Sequence, residues 1–212
     1  GTERVVVSQL HRSSGVFFDH DKGKTHSSGK IIYSSRIIPV RGSWIDMEID
    51  PKDIVNIRID RRRKFPITIL FKAFGYRVED LLNYFYQTER IVIKAKQPYK
   101  QFNPAFLKGQ RASKDVKDPK GGEVVVRKGR MFTVRAIKRL QASGMDLVPI
   151  SMEDVIERAF ASAIVDPEAD MPLVQANETV NEENLAKLEE AGISEFDLLF
   201  IDGVTASDSV RK

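Results

Sequence analysis

A pattern that begins at Val126 recurs forty-eight residues further along the chain. Val126, Phe132, Ile137, Leu140 and Gly144 precede Leu147-Val148-Pro149-Ile150; Val174, Val180, Leu185, Leu188 and Gly192 keep the spacing and precede Leu198-Leu199-Phe200-Ile201. Each copy reads as strand, turn, helix and strand. Thr133 or Asn181 stands at the helix N-cap, where a side-chain oxygen satisfies an otherwise unpaired amide, and a glycine supplies the left-handed residue that ends the helix. A single unit of this kind cannot bury its apolar face alone. Two in tandem therefore imply a compact pseudo-symmetric module, and two are too few for a solenoid.

Upstream the period is different. The first 64 residues alternate with period two, the signature of half-buried antiparallel strands, and the chain opens at Gly1-Thr2-Glu3-Arg4-Val5 inside such a pattern, as a piece of something longer would. In Trp44-Ile45-Asp46-Met47-Glu48-Ile49-Asp50 the odd positions are apolar and the even ones after Trp44 acidic, which puts Trp44 on the wet face. The same parity in Val55-Asn56-Ile57-Arg58-Ile59-Asp60 turns Ile57 and Ile59 inward and Asn56, Arg58 and Asp60 outward, ahead of the run Arg61-Arg62-Arg63-Lys64. Pro66 suits the first turn of a helix that Gly75 closes, and Val78 to Tyr86 reads as a second short helix. Asp115 to Gly122 reads as a loop before a strand and turn over 123–129. The expectation is an α+β chain of two domains. Residues 1–87 form an antiparallel, strand-rich segment with two helices, and residues 88–212 form an α+β module built on the tandem unit.

Charge divides the chain more sharply than its net value of +4 suggests. Residues 1–140 hold 30 Lys+Arg against 14 Asp+Glu, and residues 141–212 hold 4 against 16. The first part suits a polyanion, the second would be repelled by one, and ordinary solvated faces of opposite sign would give the same totals. With no cysteine, a disulfide framework and a zinc ribbon are excluded, and no run approaches the length of a membrane span.

Several catalytic readings fail on spacing. Gly23-Lys24-Thr25 imitates part of a phosphate-binding loop, but position 18 is Phe18 where glycine is required, and Ile31-Ile32-Tyr33 is a poor helix start. His11, His20 and His26, the only histidines, have no metal-ligand spacing, no serine sits in a nucleophile elbow, and no acidic pair argues for acid–base work. Neither catalytic nor metal-binding residues are expected. Nucleic-acid binding fits better. Arg12, Lys22, Lys24, Lys30, Arg36, Arg41 and Arg61 to Lys64 would neutralise phosphates, and Trp44 offers a stacking surface for an unpaired base. Asp60 among arginines either accepts hydrogen bonds from a base edge, as guanine N1–H and N2–H₂ would donate, or pairs with Arg58 or Arg62 for under about 1 kcal/mol. An autonomous single-strand-binding protein remains a reading from these residues alone.

The stretches Gly1 to Ser13, Asp21 to Lys30, Arg41-Gly42-Ser43-Trp44 and Ile59-Asp60-Arg61-Arg62-Arg63-Lys64 closely resemble the lobe domain of the β subunit of bacterial DNA-directed RNA polymerase, nearly ungapped to about residue 80. From about residue 83 the chain resembles the lineage-specific insertion that some bacterial β subunits carry within the lobe. Ser14, where many relatives have proline, departs at one turn.

The resemblance implies a fragment of a nucleotidyltransferase with no activity or cofactor of its own, since the catalytic Mg²⁺ sits on the β′ subunit. It implies that the lobe forms a wall of the downstream DNA channel, that Arg12, Trp44 and Asp60 match a pocket for an unpaired guanine of the non-template strand, and that Lys24, Arg61 and Arg62 match backbone contacts. Val7 matches a position linked to rifampicin resistance. Implied partners are DNA, the rest of β, β′, α, ω and sigma factor, in the cytoplasm at the nucleoid and away from membranes, with regulators docking on the insertion.

Overall fold

The computed structural model describes every residue except 25, 26, 28, 167–170, 203–207 and 212, so Thr25 and His26 of the lysine-glycine loop and part of the C-terminal segment lie outside the described residues. The chain divides into two compact units, Gly1–Tyr76 with Ser207–Lys212, and Arg77–Ala206. Mixed antiparallel sheets and short helices make both units α+β.

The first unit is a five-stranded antiparallel meander, β1 (Gly15–His20), β2 (Tyr33–Ile38), β3 (Ile45–Ile49), β4 (Val55–Ile59) and β5 (Phe65–Pro66), followed by helix α1 (Ile67–Ala73). Its register sets the parity. Arg36 opposes Asp46, Asp46 opposes Arg58, and Ile45 opposes Ile59, so the charged positions share one face and the apolar positions the other. Ile57, 1% exposed, is the most buried residue of the apolar face.

Two expectations are corrected here. Residues 1–13 form no strand: they find no partner ladder among the described residues, and Val5, Val6 and Val7 stand exposed. Asn56, placed outside by parity, is 7% exposed. Its amide donates to Asp50 Oδ2 and to the Ile54 carbonyl, so the polar side chain is tucked under the β3–β4 turn instead of facing water.

The second unit begins with helix α2 (Val78–Phe85) and centres on a four-stranded antiparallel sheet in the order β10-β7-β6-β13. Strands β6 (Gln87–Lys94) and β7 (Gln97–Gln101) form the middle hairpin. The first repeat then runs through α3 (Pro104–Leu107), the small hairpin β8 (Val116–Lys117) and β9 (Val124–Val126), α4 (Val134–Ala142) and β10 (Leu147–Pro149). The second runs through a 3-10 turn (Met152–Asp154), β11 (Ile164–Val165) with β12 (Pro172–Val174), α5 (Glu182–Glu190) and β13 (Glu195–Phe200).

The forty-eight-residue step holds throughout. Val116 pairs with Val126 as Ile164 pairs with Val174, both hairpins carry a register shift, and the bridge Arg111–Met131 recurs as Ala159–Thr179. Leu107, Val126, Phe132, Leu140 and Val148 are buried in one core, and Val155, Val174, Val180, Leu188 and Phe196 occupy the equivalent places in the other. The final strand starts at Glu195, in register with Leu147, three residues before the Leu198 start read from hydrophobicity. Thr133 Oγ1 accepts the Ala136 amide and Asn181 Oδ1 the Asn184 amide, the caps expected. Thr133→Ala and Asn181→Ala are each expected to destabilise the second unit by about 1 kcal/mol in urea unfolding. A change within error at both sites would show that packing alone sets the helix starts.

Candidate nucleic-acid interface

On the charged face of the first sheet runs the row Phe17–Arg36–Asp46–Arg58; Trp44 directly precedes β3 and Asp60 directly follows β4, each two residues along from that row. Trp44 and Asp60 meet at the end of the β3–β4 pair. The Asp60 amide donates to the Trp44 carbonyl at 3.0 Å, and the Trp44 amide donates to Asp60 Oδ1 at 3.3 Å. Ser43 Oγ donates to Asp60 Oδ2 at 2.6 Å. Asp60 is exposed and joins no ion pair among the described residues, while Arg58 turns to Glu48 at 3.8 Å, so pairing with Arg58 or Arg62 does not explain the carboxylate.

The turn that follows is unusual for its residue types. Asp60 and Arg61 have φ of 50° and 59°, and the Arg62 amide closes the turn on the Ile59 carbonyl at 3.0 Å. Two consecutive left-handed residues without glycine persist only where neighbouring contacts hold them, and here the Ser43 and Trp44 bonds to Asp60 do so. The turn projects Arg61, Arg62 and Arg63, all exposed and in no ion pair among the described residues.

Arg12 lies elsewhere on this face. Its guanidinium sits 4.5 Å from the centroid of the Phe17 ring, at the β1 end of the neighbouring row, and lines a shallow groove of about 240 Å³ with Arg36, Asp46 and Arg58. Between the two places, Arg36 reaches over the Trp44 ring at 5.6 Å while its Nε also pairs with Asp46. The geometry thus joins Trp44 to Asp60 directly, and Arg12 only through Phe17 and Arg36.

Much of the expected positive charge on the sheet is already compensated. Lys30 pairs with Asp53 at 2.7 Å, and Lys64 with Glu48 at 3.4 Å. Lys24 is exposed, its amide donating to the Asp21 carbonyl, and Val7 is exposed in the N-terminal segment. Sequence reasoning gave Ser43 no role and read Arg36 only as a phosphate-neutralising cation, not as the partner of Trp44 and Asp46. Ser43 directly precedes Trp44 and was within reach of it; Arg36 needed the β2–β3 register, which no local signal specifies.

Among the described residues no group of three or more His, Cys, Asp or Glu is placed to hold a metal ion, and no helix is long and apolar enough to cross a membrane. Residues 12–118 match the family model described as RNA polymerase Rpb2, domain 2. The chain belongs to the Rpb2 domain 2 family. Similar curated proteins are the DNA-directed RNA polymerase subunit beta of Desulforapulum autotrophicum, 64% identical, of Desulfatibacillum aliphaticivorans, 58%, and of Desulfosudis oleivorans, 56%. Each alignment covers all of this Rpb2-family chain and 15–16% of the relative's length. The similarity therefore includes both repeats of the second unit, beyond the span of the family model.

Proposed function

We propose that this chain works as part of the β subunit of a cytoplasmic, DNA-directed RNA polymerase, where its first sheet holds melted and downstream DNA during RNA synthesis. The observation that carries the reading is the Trp44–Asp60 corner. An exposed carboxylate is fixed there by Ser43 and by the Trp44 amide, beside an aromatic ring and a turn of three unpaired arginines. Each Asp60 oxygen accepts one protein bond and keeps a second lone pair, enough to receive N1–H and N2–H₂ of an unpaired guanine. The Trp44 ring stacks on the base, and Arg36 above it limits the ring's freedom. Arg61 and Arg62 then contact phosphates, Arg12 extends the contact along the Phe17 row, and Lys24 adds to it. Val7 is assigned to the rifampicin-response segment. The chain's other partners in this reading are the rest of β, β′, α, ω and sigma factor. The chemistry of nucleotide addition and its Mg²⁺ belong to β′, so the chain alone is inactive.

Trp44→Ala and Asp60→Ala, placed in a full β subunit and reconstituted into polymerase, are expected to shorten open-complex lifetime on promoters with guanine at the downstream bubble edge, by the equivalent of about 1–3 kcal/mol for a base contact. Promoters without that guanine are expected to respond little. Equal effects on both would leave only a backbone-binding role for this face.

A further inference from the structure

The two repeats of the second unit share a backbone and differ in sign. Residues 97–144 hold 12 Lys+Arg against 3 Asp+Glu, and residues 145–192 hold 2 against 12. The difference concentrates at one turn. In the first repeat Arg127-Lys128-Gly129-Arg130 closes with the Arg130 amide on the Arg127 carbonyl at 3.0 Å, and the Gly129 amide, at φ 78°, donates to the Ala112 carbonyl. The second repeat builds the same turn from Gln175-Ala176-Asn177-Glu178, with the Glu178 amide on the Gln175 carbonyl at 3.2 Å and the Asn177 amide, at φ 69°, on the Phe160 carbonyl. Arg111, whose Nη1 donates to the Gly129 carbonyl at 3.0 Å, stands where the second repeat has Ala159.

This pair is an internal control. The second repeat makes the turn, the bridge and the backbone hydrogen bonds with no cation at any of the four positions, so that backbone does not require Arg111, Arg127, Lys128 and Arg130. Nor does their own repeat neutralise them. Of its three acids, Asp115 accepts the Lys128 amide, Asp118 accepts the Lys120 amide and pairs with Arg139 at 3.7 Å, and Glu123 pairs with Arg139 at 2.6 Å. The four cations join no ion pair among the described residues, and all are exposed. Like charges gathered on one turn repel one another, an arrangement that a polyanion relieves by displacing counterions.

We propose that the turn Arg127–Arg130, with Arg111, is a second duplex-DNA contact, binding the phosphate backbone without regard to sequence, while the acidic second repeat turns DNA away. The choice of DNA over other polyanions rests on the function proposed above. A flat cluster of cations with no base-reading carboxylate or tryptophan fits backbone contact and not base readout.

The test is fluorescence anisotropy of the 212-residue chain with a labelled mixed-sequence duplex over a series of KCl concentrations, comparing the unaltered chain with the triple variant Arg127→Gln, Lys128→Gln, Arg130→Gln. The variant is expected to bind roughly tenfold more weakly at low salt and to lower the slope of log affinity against log salt by about three. Circular dichroism checks its fold, and Glu182→Gln with Glu190→Gln in the second repeat serves as a control expected to lose no affinity. Arg61→Gln with Arg62→Gln, measured in parallel, separates the two surfaces: loss there alone supports the first sheet and overturns this inference, and loss in the triple variant alone does the reverse. Absence of duplex binding by the unaltered chain overturns it as well. So does a salt-sensitive dimer, seen by sedimentation without DNA and abolished in the triple variant, which would assign the turn to a second copy of the chain.

Discussion

Glu89→Ala is expected to lower the stability of the second unit by about 3–5 kcal/mol, because it strips the shared acid from Lys100, which is buried, and Arg158, which is half-buried. Glu89 is 4% exposed on β6; its Oε1 lies 3.4 Å from Lys100 Nζ on β7, and its Oε2 accepts Arg158 Nη1 at 2.7 Å. Lys100 Nζ also donates to Gln110 Oε1 at 2.6 Å, and Arg158 Nη2 to the Leu199 carbonyl at 3.0 Å, so the cluster ties both repeats to the central hairpin. The pH dependence has a definite sign. Burial holds the Lys100 ammonium below its ordinary value, against the attraction of Glu89. Between that lowered native value and the ordinary 10.5, the unfolded chain binds more protons than the folded one, and this group's contribution to stability rises with pH. Removing the Glu89 charge lowers the Lys100 value further and widens that window downward. The loss in Glu89→Gln is therefore expected to be largest near neutrality and to shrink as pH climbs toward the ordinary lysine value. Urea unfolding across that range measures it. A loss under about 1 kcal/mol in Glu89→Ala would mean that water entering the adjoining cavity of about 290 Å³ solvates the two cations.

Phe160→Ala is expected to destabilise the same unit by about 3–5 kcal/mol, the range for emptying an aromatic site in a packed core. Phe160 is fully buried, its ring centroid 5.5 Å from that of Phe196, among Val155, Val174, Val180 and Leu188. Its counterpart forty-eight residues earlier is Ala112, also buried. The first core thus closes around a methyl group where the second closes around a ring. The reciprocal Ala112→Phe is expected to overpack that core by about 1–3 kcal/mol. Thermal unfolding of both variants checks the pair. Equal small losses at the two sites would show that the cores repack freely, and that the duplication constrains the backbone but not the side chains.

Local signals carried far in this chain. The recurrence of Phe132 as Val180, of Leu140 as Leu188 and of Gly144 as Gly192 was legible because helix caps and apolar periodicity depend on neighbours within a few residues. The alternation around Met47 and Ile57 likewise placed the sheet and its two faces. It failed at Asn56, where a side-chain bond to Asp50 outweighed parity, and at residues 1–13, where a strand-like pattern met no partner strand among the described residues. The site divided in the same way. Trp44 and Asp60 were legible as types suited to a base, but their meeting depends on Ile45 opposing Ile59, and Arg12 proved to stack on Phe17 in the adjoining row.

By itself, the sequence determined the α+β class, the duplication at forty-eight residues, the helix caps and the reversal of charge along the chain, since each is a property of composition or short-range spacing. Only the tertiary structure decided which strands pair and hence what those residues face. Arg90 meets Asp197 across 107 residues, Glu89 is buried between Lys100 and Arg158, and Ser43 locks Asp60. Those pairings follow from packing two apolar cores against one sheet, a free-energy balance summed over the whole unit, which no window of neighbouring residues contains.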